Sequence, residues 1–381
     1  HRVIRNSEHG ATSLANTNTT TTMTTFDITM GLATTYLIAE PFLPKTFLPD
    51  TLRQALSFAI VKPATSGSTI SQGQGKDWNN FFQVYDRQAT NHLFPLAYKS
   101  IMIPTSFGQT HIFLGGNMNA PASLFFHGVR ATSLMWNKLA QNDGLLARRK
   151  VILIDYITDT GRSLPTRKGP QDGVEHGKWV KEILEYLEIQ DPVDMIGYSY
   201  GSFVVAMITN SAPQLVTGKR VIMISPAAVF APLRASFYYH AVMPYIMQDR
   251  FGFTSDWSNQ WMSGPEIDYN NSEVNQDDIE FENVRRKVKL TYDVPLPPQM
   301  FSNEELIQLT MSASRTMLIL GEHDPVTDRK MAVRRGEEAG VEVVVVKKAG
   351  HLWYRTISSE FCVRIVDAVL GSSEKRSRSR L

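Results

Sequence analysis

The run Val193-Asp194-Met195-Ile196-Gly197-Tyr198-Ser199-Tyr200-Gly201 constrains this chain more than any other stretch. A short apolar segment ends in G-Y-S-Y-G, and an apolar helical pattern follows from Phe203 to Ile208. That order reads as strand, sharp turn and helix, with a serine at the apex. Such a turn strains the apex residue, and glycines two residues to either side let strand and helix pass without a Cβ collision. Ser199 then stands with its hydroxyl exposed at the carboxyl edge of a sheet, and its own helix begins immediately after it. N–H groups at that helix start face any oxyanion formed there. By composition alone, G-x-S-x-G arises in about one chain in ten of this length, so the pentapeptide is weak by itself. A glycine-bounded surface loop is the plain alternative, and the rest of the chain decides between them.

Apolar runs recur at the spacing of a parallel sheet. Ala122–Phe126, Val151–Ile154, Val221–Ile224, Thr316–Leu320 and Val341–Val346 are short Val/Ile/Leu/Phe-rich segments. Continuous runs of this kind are strands buried on both faces. Helical patterns separate them, one around Leu134, Trp136 and Leu139 and another over Val174–Leu187. Earlier, Ser100–Ile103 and Thr110–Leu114 alternate around Phe107-Gly108-Gln109, which predicts a hairpin. The expected architecture is α/β, a mostly parallel sheet opened by an antiparallel hairpin. Between Ser225 and Ser314 the alternation stops, and the stretch from Phe230 to Trp261 is rich in Phe, Tyr and Trp. A structureless loop of that length does not suit a compact domain, so a helical cap over residues 226–314 is expected at the carboxyl edge of the sheet. Most of its aromatics would form its own core, and a minority would line an apolar pocket.

The two ends read differently. Residues 1–25 are polar, finish in a threonine-rich run, and are expected to be disordered because they offer almost nothing to bury. Leu52, Leu56 and Ala59 follow the cap signal Asp50-Thr51 and predict one short helix. Pro63–Lys76 is linker-like, and an aromatic helix is predicted over Trp78–Ala97. The domain organisation expected is an extension over 1–97, a core over 98–225 and 315–370, the cap at 226–314, and a basic tail at 371–381.

A net charge of +2 is too small to argue for nucleic acid or an anionic membrane surface. Cys362 is the only cysteine, so an intramolecular disulfide and a cysteine-based metal cluster are excluded, and a reducing compartment fits. The longest uncharged apolar run near the start, Ile28–Ala39, is too short to span a bilayer.

A serine hydroxyl is a poor nucleophile at neutral pH. It needs an adjacent base, and the base needs a group that fixes its tautomer. On an elbow of this kind the acid and then the histidine follow the serine in the chain. His240, His323 and His351 lie beyond Ser199, and Gly321-Glu322-His323-Asp324-Pro325 follows a strand. Only His351 comes after Asp324, just past the last strand. Glu322 and Asp328 are competing acids, but Asp324 is better placed in the turn and Pro325 stiffens it. His323 precedes the acid directly and points elsewhere. The expected triad is Ser199, Asp324 and His351. Backbone N–H groups of Tyr200 and of Val129, after His127-Gly128, are expected to form the oxyanion hole. His127 itself reads as a loop-shaping residue.

From Tyr98 to Leu370 the chain resembles the α/β-hydrolase superfamily, carrying F-F-H-G-V, D-Y-I-T-D-T-G-R-S, G-Y-S-Y-G, G-E-H-D-P and A-G-H-L-W in the family's order. It is most similar to microbial carboxylesterases of the naproxen-esterase type, also in Ile224-Ser225-Pro226-Ala227 and in Phe301–Leu306. The resemblance implies hydrolysis of a small-molecule carboxylic ester through an acyl-enzyme, with neither metal nor cofactor, and the same triad and oxyanion residues. The first 97 residues lie outside it. Tyr198 and Tyr200 are bulkier than the small or aliphatic neighbours common in these esterases, which would narrow the pocket beside the nucleophile. Thioesterase, lactonase and carbon–carbon bond hydrolase reactions use the same machinery, and a non-catalytic ligand receptor can share the fold. Epoxide hydrolases and dehalogenases want a carboxylate where Ser199 stands. The expected location is cytoplasmic. The terminal Ser379-Arg380-Leu381 resembles the peroxisomal S-K-L address with arginine for lysine, and a chance end to an Arg/Ser tail competes with that reading.

Overall fold

The computed structural model describes residues 73–242, 257–264, 276–290, 297–353 and 359–371. The predictions for residues 1–61, including the helix around Leu56, and for the tail from 372 onward lie outside the described residues.

The strands are β1 (Lys99–Thr105), β2 (Gly108–Gly116), β3 (Ala122–Phe126), β4 (Lys150–Ile154), β5 (Leu164–Pro165), β6 (Asp194–Tyr198), β7 (Arg220–Ile224), β8 (Arg315–Gly321) and β9 (Glu342–Val346). They form one nine-stranded sheet in the order β1-β2-β4-β3-β6-β7-β8-β9, with β5 paired to β2. β1 and β2 are the predicted antiparallel hairpin, in register from Lys99↔Leu114 to Thr105↔Gly108. β2 also runs antiparallel to β4, and from β4 through β3 to β9 every pairing is parallel. The hairpin turn sits one residue or so earlier than the sequence indicated, because Gly108 and Gln109 join β2 and pair with β5. A side chain at Gly108 would strike the Leu164 carbonyl, its Cβ only 2.3 Å from that oxygen.

Alternate residues of the parallel strands enter two separate apolar layers, which is why these strands read as unbroken apolar runs. One layer takes Leu124, Phe126, Ile152, Met195, Met223 and Leu318, and is closed by helices α2 (Gly173–Tyr186), α3 (Tyr200–Ser211), α5 (Asn303–Ser312) and α6 (Arg329–Glu338). The other takes Phe125, Leu153, Ile196, Ile222 and Ile319. It is closed by α1 (Lys76–His92), α7 (Ser359–Leu370) and the turn Ser133–Trp136. α1 stands ahead of the family resemblance, yet Trp78, Phe81 and Tyr85 are buried in this second layer.

The insertion between β7 and β8 carries no named strand among its described residues. It holds a short helical turn over Ala235–Val242, a helix at Trp257–Ser263, α4 (Gln276–Arg285) and α5. α4 packs on α1, with the Phe81 and Phe281 rings 5.6 Å apart. Among the described residues no helix is long and apolar enough to cross a membrane.

Candidate active site

β3, β6, β7, β8 and β9 run parallel, so their carboxyl ends reach one edge of the sheet, where sites of open α/β sheets form. Ser199 follows β6 directly with φ 51 and ψ −113, the strained apex the sequence predicted. Both flanking glycines are required there. A Cβ at Gly197 would lie 2.4 Å from the Gly201 carbonyl oxygen, and one at Gly201 would lie 2.2 Å from the Phe126 carbonyl oxygen. The Ser199 N–H donates to the Ile224 carbonyl (2.8 Å), tying the elbow to β7. Ser202, a buried hydroxyl in an apolar helix, strengthens the tie: it accepts from the Ile224 N–H (3.0 Å) and donates to the Gly197 carbonyl (2.7 Å).

Asp324 lies in the turn after β8 and His351 in the loop after β9. The ladder between these strands continues past their ends, with the Glu322 N–H donating to the Val346 carbonyl and the His323 N–H to the Ala349 carbonyl, each at 2.8 Å. The two turns are thereby held side by side. The His351 Nδ1–H donates to Asp324 Oδ2 at 2.8 Å, and Nε2 accepts from the Ser199 hydroxyl at 3.0 Å. All three side chains belong to buried residues. Burial alone would raise the Asp324 carboxyl. The His351 ring and the Val326 N–H (2.9 Å to Oδ1) outweigh it and hold the group below its ordinary value.

The competing residues are engaged elsewhere. Asp328 caps α6 through the Met331 N–H (3.0 Å), and Glu322 accepts from the Lys348 N–H (2.9 Å). His323 is half-buried beside Glu322, and His240 stacks on Trp261 with ring centroids 4.7 Å apart. His127 shapes its loop as expected, for it donates from Nδ1 to the Gly128 carbonyl (2.8 Å) and accepts the Tyr156 N–H at Nε2 (2.9 Å).

Tyr200 opens α3, where a backbone N–H can point out of the helix end. The loop carrying Val129 presses on the nucleophile, since a Cβ at Gly128 would lie 2.9 Å from the Tyr198 ring and 3.3 Å from Ser199 Cβ. Buried Asp159 fixes that loop by accepting the Arg130 N–H (2.7 Å), at a residue whose φ is 57. Tyr198 and Tyr200, whose bulk was expected to narrow the pocket, are both buried beside the nucleophile. The Tyr198 hydroxyl donates to the His351 carbonyl at 2.8 Å, and Tyr200 packs edge-on against Tyr156.

Three contacts could not be found in the sequence. The His351 N–H donates to the Met262 carbonyl (2.7 Å), so the insertion holds the histidine loop, but a main-chain acceptor leaves no residue signature. Tyr198 and Asp159 act across the fold, and only their burial reveals them. Ser202 did leave a trace, as a hydroxyl three residues into an otherwise apolar helix.

An elbow serine hydrogen-bonded to a histidine, which is hydrogen-bonded in turn to an aspartate, defines a class at this sheet edge. The model of the alpha/beta hydrolase family matches residues 124–361, and the chain belongs to that family. Among individual proteins it is similar to carboxylesterase YbfK of Bacillus subtilis, at 25% identity over 71% of this chain and 87% of that protein. It is similar at 25% identity also to the uncharacterized carboxylesterase nap of the same organism, over 71% of this chain and 86% of that protein. The crystal structure of naproxen esterase (carboxylesterase NP) from Bacillus subtilis shares the fold, with a TM-score of 0.65 and 23% identity over 77% of this chain and 98% of that one.

Proposed function

We propose that the protein is a carboxylic ester hydrolase working through an acyl-enzyme on Ser199. Ser199 Oγ attacks the ester carbonyl while His351 Nε2 takes its proton and passes it to the leaving alcohol. Asp324 keeps the ring in the tautomer that can accept and offsets the charge it gains. The Val129 and Tyr200 N–H groups receive the oxyanion, each contributing about 3 kcal/mol to the transition state. Water, activated by the same imidazole, then releases the acid. Part of the insertion over 226–314 caps this edge, through the segment whose Met262 carbonyl accepts the His351 N–H, and a minority of its aromatics line an apolar pocket for the acyl or alcohol part.

The observation that carries this reading is the unbroken chain from Ser199 Oγ through His351 to Asp324, at 3.0 and 2.8 Å. The carboxylesterases among its relatives support an ester as the substrate. A fluorophosphonate probe should label Ser199. Ser199→Ala should remove that label and lower turnover of p-nitrophenyl esters about a million-fold, with the circular dichroism spectrum unchanged. An unlabelled wild-type Ser199 would instead mark a ligand receptor, and full turnover in the alanine variant would move the chemistry to another residue. Running acyl-thioesters and lactones beside the esters ranks the reactions that share this machinery.

A further inference from the structure

A second serine–histidine–aspartate chain is built on the hairpin, with the serine on β1 and the histidine on β2. Ser100 Oγ is 2.8 Å from His111 Nε2, and His111 Nδ1 is 2.8 Å from Asp155 Oδ2. These spacings match those at Ser199. His111 and Asp155 are fully buried, whereas Ser100 is exposed on β1.

The carboxylate is held in place from several directions. Asp155 Oδ2 accepts from the Tyr85 hydroxyl (2.7 Å) and the Arg162 N–H (2.9 Å), and Oδ1 from the Ser133 N–H (2.8 Å). With Nδ1–H committed to Asp155, Nε2 presents its lone pair to the Ser100 hydroxyl. A purely structural account explains Asp155, which closes the loop after β4, and explains why His111 is bonded to it. It leaves unexplained why the outer end of the relay is an exposed hydroxyl. Two exposed apolar side chains flank that hydroxyl. Met102 is two residues along the same strand and therefore on the same face, and Phe94 packs on Phe113, the cross-strand partner of Ser100.

We propose that Ser100 is a second, surface-exposed acyl-accepting serine, activated by His111 and taking its acyl group from an activated ester with an apolar acyl part. Ser100 Oγ bonds to the carbonyl carbon as its proton moves to His111 Nε2. The bond to the aryl alcohol breaks, and the phenolate leaves and takes up that proton. O-acyl-Ser100 and a phenol result, with no change in oxidation state. Ser100 lies within a strand and not at the start of its own helix, so it lacks the oxyanion support available at Ser199. Each oxyanion donor is worth about a hundred- to thousand-fold in rate. The reaction is therefore slow, stops at the acyl-serine, and is masked while Ser199 turns over.

The test uses the full chain carrying Ser199→Ala, incubated with p-nitrophenyl butyrate and analysed by peptide mass spectrometry. One acyl group should appear on Ser100, at least tenfold faster than on any other exposed serine. Ser199→Ala/Ser100→Ala should lose it, and Ser199→Ala/His111→Gln should acylate Ser100 at least tenfold more slowly. If the buried His111→Gln change prevents folding, the comparison with the other exposed serines and the Ser100→Ala control decide the matter. Acylation of Ser100 no faster than that of the other serines, or undiminished when a folded His111→Gln variant is used, overturns the proposal. Because the test is run without Ser199, its outcome is independent of the reading of the main site.

Discussion

Tyr198 ties the candidate base to the strand that carries the nucleophile. Its hydroxyl donates to the His351 carbonyl at 2.8 Å across 153 residues of chain, and its ring lies 5.2 Å from the imidazole. The histidine's main chain is thus gripped twice, by Tyr198 at the C=O and by Met262 at the N–H. Tyr198→Phe removes one oxygen and keeps the ring. A neutral hydrogen bond is worth about 1 kcal/mol, so kcat should fall about fivefold. KM should hold, because the position of the imidazole matters once the proton moves and not when substrate docks. Steady-state kinetics checks this; a rise in KM at constant kcat would assign Tyr198 to the pocket wall instead. At this scale the juxtaposition of Ser199, Asp324 and His351 was readable in the sequence, because each sits at a fixed offset from a strand end. Tyr198 obeys no such offset. Its partner is set by how the last loop folds back, so its bulk drew attention to the pocket and gave no sign of the hydrogen bond to His351.

Among the elements, α2 carries a titrating group that the chemistry does not use. His176 is fully buried, donates from Nδ1 to the Asp172 carbonyl (2.6 Å) and meets the Tyr156 hydroxyl at Nε2 (2.7 Å). The neutral ring satisfies both partners, and burial pushes its pKa down to about 4 from 6.5. The folded chain therefore binds this proton less readily than the unfolded chain does. The stabilisation is complete above about pH 6.5 and is lost as pH falls toward 4, on the order of 3 kcal/mol in all. Melting curves between pH 8 and 4.5 should show Tm dropping through that window, with a flatter profile in His176→Gln. Equal slopes in the two proteins would place the acid sensitivity on other groups. Strands were the legible elements, since burial on both faces writes itself as Val/Ile/Leu runs. β5 spans two residues and has no pattern to read, and α6 is so charged that Ala332, Arg335 and Gly336 alone mark its buried side.

At the scale of the molecule, α1 is built into the body of the fold although the family resemblance begins only at Tyr98. Trp78, Phe81 and Tyr85 close the second apolar layer, and the Tyr85 hydroxyl reaches Asp155 at 2.7 Å. Hydrogen bonds to charged groups contribute about 1.5–3 kcal/mol, so Tyr85→Phe should lower the unfolding free energy in urea by about that much. A change under about 0.5 kcal/mol would mean the remaining donors suffice for the carboxylate. The aromatic pattern gave this helix its position in the sequence, but not the sheet face it covers, which depends on the pairing order of strands far along the chain.

The grip of Met262 on His351 has a bearing on redesign. Residue 262 belongs to the insertion between β7 and β8, and Gly350 lets that segment approach so closely that a Cβ there would lie 2.2 Å from the Ser263 carbonyl oxygen. Insertions of this kind invite exchange between related proteins as a route to new specificity. Here a graft would import a foreign backbone beneath the imidazole. Chimeras that ignore the acceptor at 262 should bind their intended molecules and leave them intact, whereas those that copy its placement should inherit both pocket and turnover.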